Sequence, residues 1–466
     1  MKAFTIDTIA EAVNGKIIAG SPSAMVRNVS KDSRQVEPGD LFFPLKGERY
    51  DGHSFIAEAV KAGCSSFIVS SEEQAKKLID GGFCGHTVEA AVPNVILVED
   101  VNKALRDLAA FYIRQFDLKK IAVTGSNGKT TTKDMIYQII SGRYSTIKSE
   151  ANMNNEVGLP LSVLKLSESV EAAIFEMGMY TAGEIDMLAD IVRPQTGIIT
   201  NIGTAHIQNF ESREGIRRAK MEIAAYMDSD CALIINTDCN LLTPKKSAGP
   251  YKLIKVGSAA DNDFVLSDIN NRGEAGIDFL ISREAEKARF FLPILGVHNA
   301  LNAALAVAAA SEAGIGLMES AARLEGFSIP NKIIEHNGVK VIDDTYNASP
   351  DSMKAALDML KSIEGKRHIA VLGDMNELGN NSKAYHNLIG AYAAIKGMDA
   401  LITVGAKACE IGNGAEGNLG DGVLYICKTK EDAWGKLENM LRPDDVILIK
   451  GSRGMSMETL VKRILE

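Results

Sequence analysis

The chain has 466 residues, a length typical of roughly three domains, with 46% hydrophobic and 24% charged residues, as in globular proteins. Its formal net charge is −9 and it lacks a long basic run, which disfavours a nucleic-acid backbone as its main partner. No apolar run approaches the length of about 20 residues that a membrane span needs, and the N-terminal stretch predicts no signal peptide. The six cysteines are scattered without a C-x-x-C pair, so we expect a reduced, cytoplasmic protein.

Three blocks follow one another along the chain. Residues 1–118 mix short strand and helix patterns between turn signals, which predicts a small N-terminal α/β domain. Residues 119–326 alternate strands and helices, which predicts a mostly parallel sheet with helices on its faces. Residues 327–466 restart this alternation and predict a C-terminal Rossmann-like domain. The predicted fold class is α/β in three domains, with the middle one built around a phosphate-binding loop.

Apolar runs between turn signals predict the strands of the second and third blocks. In the second block they lie at 119–124, 171–176, 196–202 and 231–236, and strand-like pieces within 262–295 predict an antiparallel extension. In the third block they lie at 339–343, 367–372, 400–404, 423–427 and 445–449. Ser349 followed by Pro350 predicts the start of a helix, because serine caps helices and proline suits the first helical position.

A phosphate-binding loop is the strongest local signal in the sequence. The stretch KKIAVTGSNGKTTT, residues 119–132, has the pattern of a buried strand, a glycine turn and a helix start. Glycines let backbone N–H groups approach phosphates, and the helix N-terminus adds unpaired donors and partial positive charge. In such loops the lysine, here Lys129, reaches the β- and γ-phosphates, and the hydroxyl of Thr130 can bind Mg²⁺. The spacing T-G-x-x-G-K-T-T is a shorter variant of the common loop, and its predicted nucleotide-binding residues are Thr124, Gly125, Ser126, Asn127, Gly128, Lys129, Thr130 and Thr131.

Two further side chains follow predicted strands of the same sheet. Glu176 ends one apolar run, and His206 comes a few residues after the next strand. Ligands of parallel sheets bind beyond the carboxyl ends of the strands, so Glu176, His206 and Thr130 can converge on one or two Mg²⁺ ions. Taken singly, Glu176 is equally well a solvated strand-end carboxylate and His206 an ordinary loop histidine.

Lys220 is unusual because it lies on an apolar helix face. In the helical pattern of residues 214–227 it shares a face with Ile216, Ile223 and Ala224. A snorkelling lysine is one explanation. The other is a partly buried lysine with a lowered pKa and a reactive neutral amine, which can take up CO₂ as a carbamate and so provide oxygen ligands for Mg²⁺.

Two later segments carry polar side chains that can contact a nucleotide. His298 and Asn302 lie one helical turn apart in an alanine-rich helix and can read a purine edge, although a polar helix start explains them too. Asp344 and Asn347 lie at a strand-to-helix turn, where they suit a ribose or a second substrate. Helix capping alone is an alternative explanation for Asn347.

With these residues assembled, the chain resembles the Mur ligase family, the ATP-dependent amino-acid ligases of bacterial cell-wall synthesis, nearly from end to end. The phosphate loop, Glu176, His206, Lys220 and the helix start at 296–302 occur in the family's order. Three motifs resemble the branch of the family that adds a dipeptide, at 152–158 (NMNNEVG), 343–350 (DDTYNASP) and 371–379 (VLGDMNELG). Three N-terminal motifs are similar to the family's uridine-nucleotide domain, at 32–34 (DSR), 38–43 (PGDLFF) and 47–53 (GERYDGH).

The resemblance implies ATP and Mg²⁺ as cofactors, with Lys129, Lys220 and His206 in catalytic roles. Lys129 and Thr130 would hold ATP phosphates and Mg²⁺, Glu176 and His206 would ligate metal, and Lys220 would be carbamylated. His298 and Asn302 would approach adenine and Asp344 the ribose. Ser33 and Arg34 would lie at the uridine diphosphate site, with Asn154 and Asn155 along the muramoyl-peptide path, and the substrate-binding set also includes Asn347.

The function that the resemblance implies is an ATP-dependent amide ligase with UDP-N-acetylmuramoyl-tripeptide and D-alanyl-D-alanine as substrates. Within the enzyme class the alternatives are a relative that adds a single amino acid and a folylpolyglutamate synthase relative. From a different class, the alternative is a P-loop switch protein that binds nucleotide to regulate a partner. One departure concerns an arginine that the family commonly has early in the third domain, since the segment 328–335 (SIPNKIIE) has none and Lys332 is its nearest cation.

Overall fold

The structure is a computed structural model that describes residues 1–47, 50–81, 92–150, 152–329, 333–420 and 422–466. Lys332 lies outside these ranges, as do Glu48 and Arg49 of the motif at 47–53. Within the described residues, no helix is both long and apolar enough to cross a membrane.

The N-terminal block is a small α/β unit. In the part of it that the structure describes, β1 pairs with β3, and five strands form a second sheet in the order β2-β7-β6-β5-β4, parallel except for the β2–β7 pair. Helix α4 begins after Asp100, whose carboxylate accepts N–H bonds from Asn102 and Lys103. The elements are β1 Phe4–Thr5, α1 Ile6–Ala12, β2 Lys16–Ala19, β3 Met25–Val26, β4 Asn28–Ser30, β5 Asp40–Phe42, α2 Ile56–Lys61, β6 Ser66–Val69, α3 Glu72–Ile79, β7 Asn94–Leu97 and α4 Val101–Ile113.

The second block carries the largest sheet. Over its described residues the strand order is β16-β15-β14-β13-β12-β11-β8-β10-β9, parallel from β9 to β14 and antiparallel from β14 to β16. This confirms both the mostly parallel sheet and its antiparallel extension. The elements are β8 Lys119–Thr124, α5 Lys129–Ile140, β9 Thr146–Lys148, α6 Gly158–Val163, β10 Ala172–Glu176, α7 Glu184–Val192, β11 Thr196–Ile199, α8 Arg213–Met221, β12 Ala232–Asn236, β13 Lys252–Gly257, β14 Phe264–Asn271, β15 Ile277–Arg283, β16 Glu286–Leu292, α9 His298–Glu312 and α10 Leu317–Leu324.

The third block is a second α/β sheet. Its described strands follow the order β17-β18-β22-β19-β20-β21, parallel except for the β17–β18 hairpin. Ser349 caps α11 in a reciprocal capping box and Pro350 is the first helical residue, as predicted. The elements are β17 Ile333–His336, β18 Val339–Asp344, α11 Pro350–Ser362, β19 Arg367–Gly373, α12 Ser382–Ile395, β20 Ala400–Val404, α13 Cys409–Ala415, β21 Val423–Cys427, α14 Lys430–Met440, β22 Asp445–Lys450 and α15 Glu458–Leu465.

Two predicted elements end earlier than the sequence suggested. The helix expected over 214–227 ends at Met221, and a short 3₁₀ turn, Glu222–Ala224, follows it. The strand expected over 196–202 ends at Ile199, where β8 gives way to the phosphate loop. Residues Thr200 and Asn201 bond to that loop instead, the hydroxyl of Thr200 to the carbonyl of Asn127 and the carbonyl of Asn201 to the N–H of Ser126. The α/β fold class is confirmed, and the domain boundaries after residues 118 and 326 stay predictions.

Candidate active site

The loop between β8 and α5 has the backbone of a phosphate cradle. Gly125 and Gly128 both have positive φ angles, 149° and 79°, and Gly128 is the N-cap of α5. A Cβ at Gly125 would lie 1.8 Å from Oγ1 of Thr200, and one at Gly128 would lie 2.5 Å from Oδ1 of Asn302. Both glycines are therefore required by conformation and by close packing.

Asn201 fixes the shape of this loop, and sequence reasoning missed it. Its Oδ1 accepts the backbone N–H groups of Ser126 at 3.1 Å and Asn127 at 3.0 Å. Thr124, at the end of β8, donates its hydroxyl to the carbonyl of Met177. The first hydrogen bond within α5 runs from the N–H of Thr132 to the carbonyl of Gly128. The N–H groups before Thr132 have no partner within the helix, and they face the loop opening. They form a concave set of donors suited to an anion.

Lys129 folds back over the loop. Its Nζ donates to the carbonyl of Gly125 at 2.9 Å, which places a cation at the centre of the cradle. Burial lowers its pKa, and the nearby carboxylate of Glu176 opposes that shift. A phosphate in the cradle would meet this ammonium and the N–H groups of α5 together.

Glu176, at the end of β10, is 2% exposed and has three polar neighbours. Oε2 accepts the hydroxyl of Thr130 at 2.7 Å, and Oε1 accepts Nδ2 of Asn154 at 2.8 Å. The ammonium of Lys133, one helical turn after Lys129, lies 3.6 Å from Oε2. The structure thus brings together Thr130 and Glu176 as the sequence predicted, and it adds Lys133, which the sequence reasoning missed.

Lys220 is buried on α8, with an exposed fraction of 4%, beside the buried side chains of Ile216 and Ile223. Burial lowers its pKa well below the ordinary value, and the positive charge of Lys129 adds to that shift. The Lys220 amine is therefore buried and lies within electrostatic reach of Lys129 at the phosphate loop. This environment matches the buried alternative for Lys220 and excludes a snorkelling side chain.

His206 follows β11 on a left-handed residue with φ 59°. Its Nδ1 lies 2.5 Å from Oε2 of Glu377 in the third block. Burial lowers its pKa, Glu377 opposes the shift, and the charges of Lys129 and Lys220 reinforce it. The pKa of His206 therefore depends on Lys129 and Lys220 of the middle block as well as on Glu377 of the third block.

The residues present fit one Mg²⁺ at the loop. Among the described residues no group of three or more His, Cys, Asp or Glu side chains is arranged to hold a metal. The Thr130 hydroxyl and the Glu176 carboxylate are nevertheless adjacent hard oxygen ligands, and Mg²⁺ typically takes one or two protein carboxylates, phosphate oxygens and several waters. A third protein ligand would require a modified Lys220 or a movement of His206.

The predicted adenine contacts lie at the start of α9. Asn302 is buried against Gly128 and donates to Oδ1 of Asn299 at 2.9 Å. His298, the first residue of the helix, is exposed. Asn302 thus contacts the phosphate loop, whereas the contact of either side chain with a purine stays a prediction.

In the third block, Asp344 forms a buried ion pair that the sequence reasoning did not anticipate. Nζ of Lys450, at the end of β22, lies 2.6 Å from Oδ2 of Asp344 and donates to the carbonyl of Asn347 at 2.8 Å. Lys450 is 3% exposed, and its signal in the sequence is a lysine directly after the apolar run of β22. The pair fixes the turn on which both predicted ligand residues stand.

The remaining predicted substrate residues form hydrogen bonds with neighbouring protein groups. In the N-terminal block, Ser33 donates to Glu58 at 2.9 Å, and the fork of Arg34 contacts both carboxylate oxygens of Asp32, lowering the pKa of that carboxyl to about 2. Asn155 accepts the N–H of Gly158 at the start of α6. Their predicted roles toward the uridine nucleotide and the muramoyl peptide stay predictions.

Sequence profiles of three domains match the chain. They are the Mur ligase family catalytic domain over residues 25–113, the Mur ligase middle domain over 123–310 and the Mur ligase glutamate ligase domain over 331–453. Two relatives carry the name UDP-N-acetylmuramoyl-tripeptide–D-alanyl-D-alanine ligase. The one from Bacillus subtilis is 37% identical over 99% of this chain and 98% of its own, and the one from Escherichia coli is 30% identical over 100% and 99%.

Solved structures agree with these relatives. MurF from Acinetobacter baumannii matches with a TM-score of 0.90 and 31% identity over 100% of this chain and 99% of its own. MurF ligase from Thermotoga maritima, solved in complex with ADP, matches with a TM-score of 0.80 and 28% identity over 94% and 97%. The chain therefore belongs to the Mur ligase family, in the branch of the UDP-N-acetylmuramoyl-tripeptide–D-alanyl-D-alanine ligases.

Proposed function

We propose that this chain is an ATP-dependent ligase that joins D-alanyl-D-alanine to the terminal carboxylate of UDP-N-acetylmuramoyl-tripeptide, a step of peptidoglycan precursor synthesis. The observation that carries the proposal is the cluster of Lys129, Thr130 and Glu176 at a phosphate loop, in a chain that aligns over nearly its whole length with relatives of that name. The ADP complex of the Thermotoga maritima structure supports nucleotide binding.

The chemistry follows from the poor reactivity of a carboxylate toward amines. Transfer of the γ-phosphoryl group of ATP gives an acyl phosphate, the dipeptide amine attacks its carbonyl carbon, and inorganic phosphate leaves. Lys129 and the first N–H groups of α5 bind the phosphates and stabilise the charge that develops on them. Bound Mg²⁺, held by Thr130 and Glu176, would neutralise further phosphate charge.

We propose that Lys220 is carbamylated in the active enzyme. Its burial and its lowered pKa support this, because both favour the unprotonated amine that takes up CO₂. The carbamate oxygens and His206 would complete the metal environment begun by Thr130 and Glu176. The remaining residues keep their proposed roles, with adenine at His298 and Asn302, ribose at Asp344, uridine diphosphate at Ser33 and Arg34, muramoyl peptide at Asn154 and Asn155, and the second substrate at Asn347.

The proposed organisation is a substrate-nucleotide domain over 1–118, an ATP domain over 119–326 and a dipeptide domain over 327–466, in a cytoplasmic enzyme. The five cysteines among the described residues are free thiols, which supports a reducing compartment. The full-length relatives do not favour the alternatives of a single-amino-acid ligase or a P-loop switch protein.

A substrate panel tests the proposal. ADP release is measured with UDP-N-acetylmuramoyl-tripeptide ending in either diaminopimelate or lysine, combined with D-alanyl-D-alanine, single amino acids or no amine. We expect ADP release that depends on both the tripeptide nucleotide and the dipeptide. Release that single amino acids support as well would indicate another ligase activity, and nucleotide hydrolysis without any amine would indicate the switch protein.

A further inference from the structure

A cleft lies between the middle and third blocks. One wall is the loop after β11, including His206. The other wall comes from the loops after β18, β19 and β22, whose carboxyl ends are adjacent in the sheet order, and it includes Asn347, Glu377 and Arg453. Ligands of such sheets bind beyond these strand ends. The cleft therefore adjoins the proposed metal environment on one side and open solvent on the other.

The lining of the cleft carries charged side chains of both signs. Among the described residues that line it, Glu377 is the carboxylate and Arg453 the permanent cation. Glu377 lies on the side of His206, and its Oε2 is 2.5 Å from Nδ1 of His206. Nη1 of Arg453 lies 3.7 Å from Glu458, beyond hydrogen-bond distance, and its side chain is 68% exposed. The guanidinium fork can therefore receive a carboxylate without breaking a close ion pair.

The wall that carries both charges is held rigidly. The carbonyl of Asp374 accepts the N–H of Ser452, and Oγ of Ser452 accepts the N–H of Asn376 at 2.8 Å. Oδ1 of the same aspartate accepts the N–H groups of Lys407 and Ala408. These hydrogen bonds connect the loops after β19 and β22, which carry Glu377 and Arg453, with the loop after β20.

Glu377 itself has a left-handed backbone, with φ 64°. Such a conformation is unfavourable for a residue other than glycine, and it persists where the surroundings enforce it, often at ligand sites.

We propose that this cleft binds the incoming dipeptide in a single polarity, with its carboxylate on Arg453 and its amino group toward Glu377. The inference rests on the proposed function and adds to it a residue for each end of the substrate. In this polarity the amino group lies on the side of His206, where the acyl phosphate forms, and the carboxylate lies away from the phosphate charges. Arg453 also selects a substrate with a free carboxylate, because a planar guanidinium matches that group with two hydrogen bonds.

The test pairs one residue with one substrate group. Initial rates are measured with D-alanyl-D-alanine and with its C-terminal amide, for the wild type and for Arg453→Met. A lost charge-assisted contact predicts that the wild type uses the amide roughly 10- to 150-fold less efficiently than the acid. Arg453→Met should lose a similar factor on the acid, through KM, and nothing further on the amide. Arg453→Lys should retain part of the preference. Arg463→Met should retain all of it, because Arg463 lies near the other end of α15, beside Glu431 and outside the lining of the cleft.

The amino end has its own test. Glu377→Gln should raise KM for D-alanyl-D-alanine about tenfold or more. It should leave the inhibition constant of propionyl-D-alanine, which lacks the amine, unchanged. If both constants rise equally, Glu377 does not bind the amine.

The rates with the acid and the amide also distinguish a failure of the Arg453 assignment from a failure of the proposed function. An acid-to-amide preference that persists in Arg453→Met, or is absent from the wild type, would overturn the assignment of Arg453 while the ligase activity stands. A wild type that gives no dipeptide-dependent ADP release would overturn the proposed function, and the inference with it.

Discussion

The ammonium of Lys133 lies 3.6 Å from the Glu176 carboxylate, and the two side chains are only 1% and 3% exposed. A buried carboxylate without a nearby cation is strongly disfavoured, so the pair with Lys133 offsets part of the free-energy cost of burying Glu176. Lys133 also follows Lys129 by one helical turn, so α5 supplies one lysine to the phosphate loop and another to the carboxylate behind it.

Replacing Lys133 should destabilise the protein as well as the site. Lys133→Met removes the ammonium that forms the close ion pair with the buried Glu176 carboxylate, and breaking a buried pair costs about 3–5 kcal/mol. The free energy of unfolding from urea titration should fall by that order. Adding Glu176→Gln to the same chain should restore most of it, because the double variant no longer buries an unpaired charge.

The matched control is Lys148→Met, whose partly exposed ammonium pairs with Asp134 at 2.8 Å. Exposed pairs contribute at most about 1 kcal/mol, so this variant should unfold nearly like the wild type. Equal losses in Lys133→Met and Lys148→Met would show that the buried pair has no special importance.

Lys129→Ala should abolish catalysis and leave the fold intact. Its ammonium lies over the phosphate loop and makes one hydrogen bond, to Gly125. Loss of a preorganised charge at the transferred phosphoryl group should reduce kcat by several orders of magnitude. Lys165→Ala, which removes an exposed lysine paired with Glu150, should retain full activity. A stable and active Lys129→Ala enzyme would contradict the proposed mechanism.

The carbamate proposed for Lys220 predicts that activity depends on dissolved CO₂. Enzyme prepared in CO₂-depleted buffer should regain activity when bicarbonate is added, because the lowered pKa of Lys220 favours the unprotonated amine that adds CO₂. Lys220→Ala should be nearly inactive at any bicarbonate concentration, and short-chain carboxylic acids should restore part of its activity by supplying the missing oxygens. A full rate without CO₂ would rule the carbamate out.

The sequence predicted the fold well because strands of parallel sheets are buried on both faces and read as apolar runs. Such runs placed β8, β10, β19 and β20 within a residue or two. It did not predict β17, a strand paired only on one side at the end of its sheet, whose side chains are half-buried or exposed. The other end strand, β21, was predicted because its sequence VLYIC is an apolar run, whereas β17, IIEH, has only two apolar residues in succession.

The site was predicted where the chemistry is local in sequence. Lys129 and Thr130 belong to one motif, and Glu176 follows from the rule for strand ends. Asn201 and Lys450 were missed because their partners, Ser126 and Asp344, lie 75 and 106 residues away. Contacts of that range follow from strand order, which propensities do not specify.

A buried histidine on α12 should make stability depend on pH. His386 is fully buried on α12, where its Nε2 accepts the N–H of Met375 and its Nδ1 donates to the carbonyl of Ser382. Burial lowers its pKa, and among its charged neighbours Asp374 and Glu410 oppose this shift while Lys407 adds to it.

The sign of this dependence follows from proton binding. Between its lowered pKa in the folded protein and its ordinary pKa of about 6.5, His386 binds a proton in the unfolded chain but not in the folded one. Its contribution is therefore complete above that pH and is lost as the pH falls, by at most about 1.4 kcal/mol per pH unit. His386→Gln, which keeps a donor and an acceptor but does not titrate, should show a shallower fall in the free energy of unfolding between pH 7 and pH 5. The control His336→Gln, at a half-buried site on β17, should follow the wild type, and parallel curves for wild type and His386→Gln would contradict the assignment.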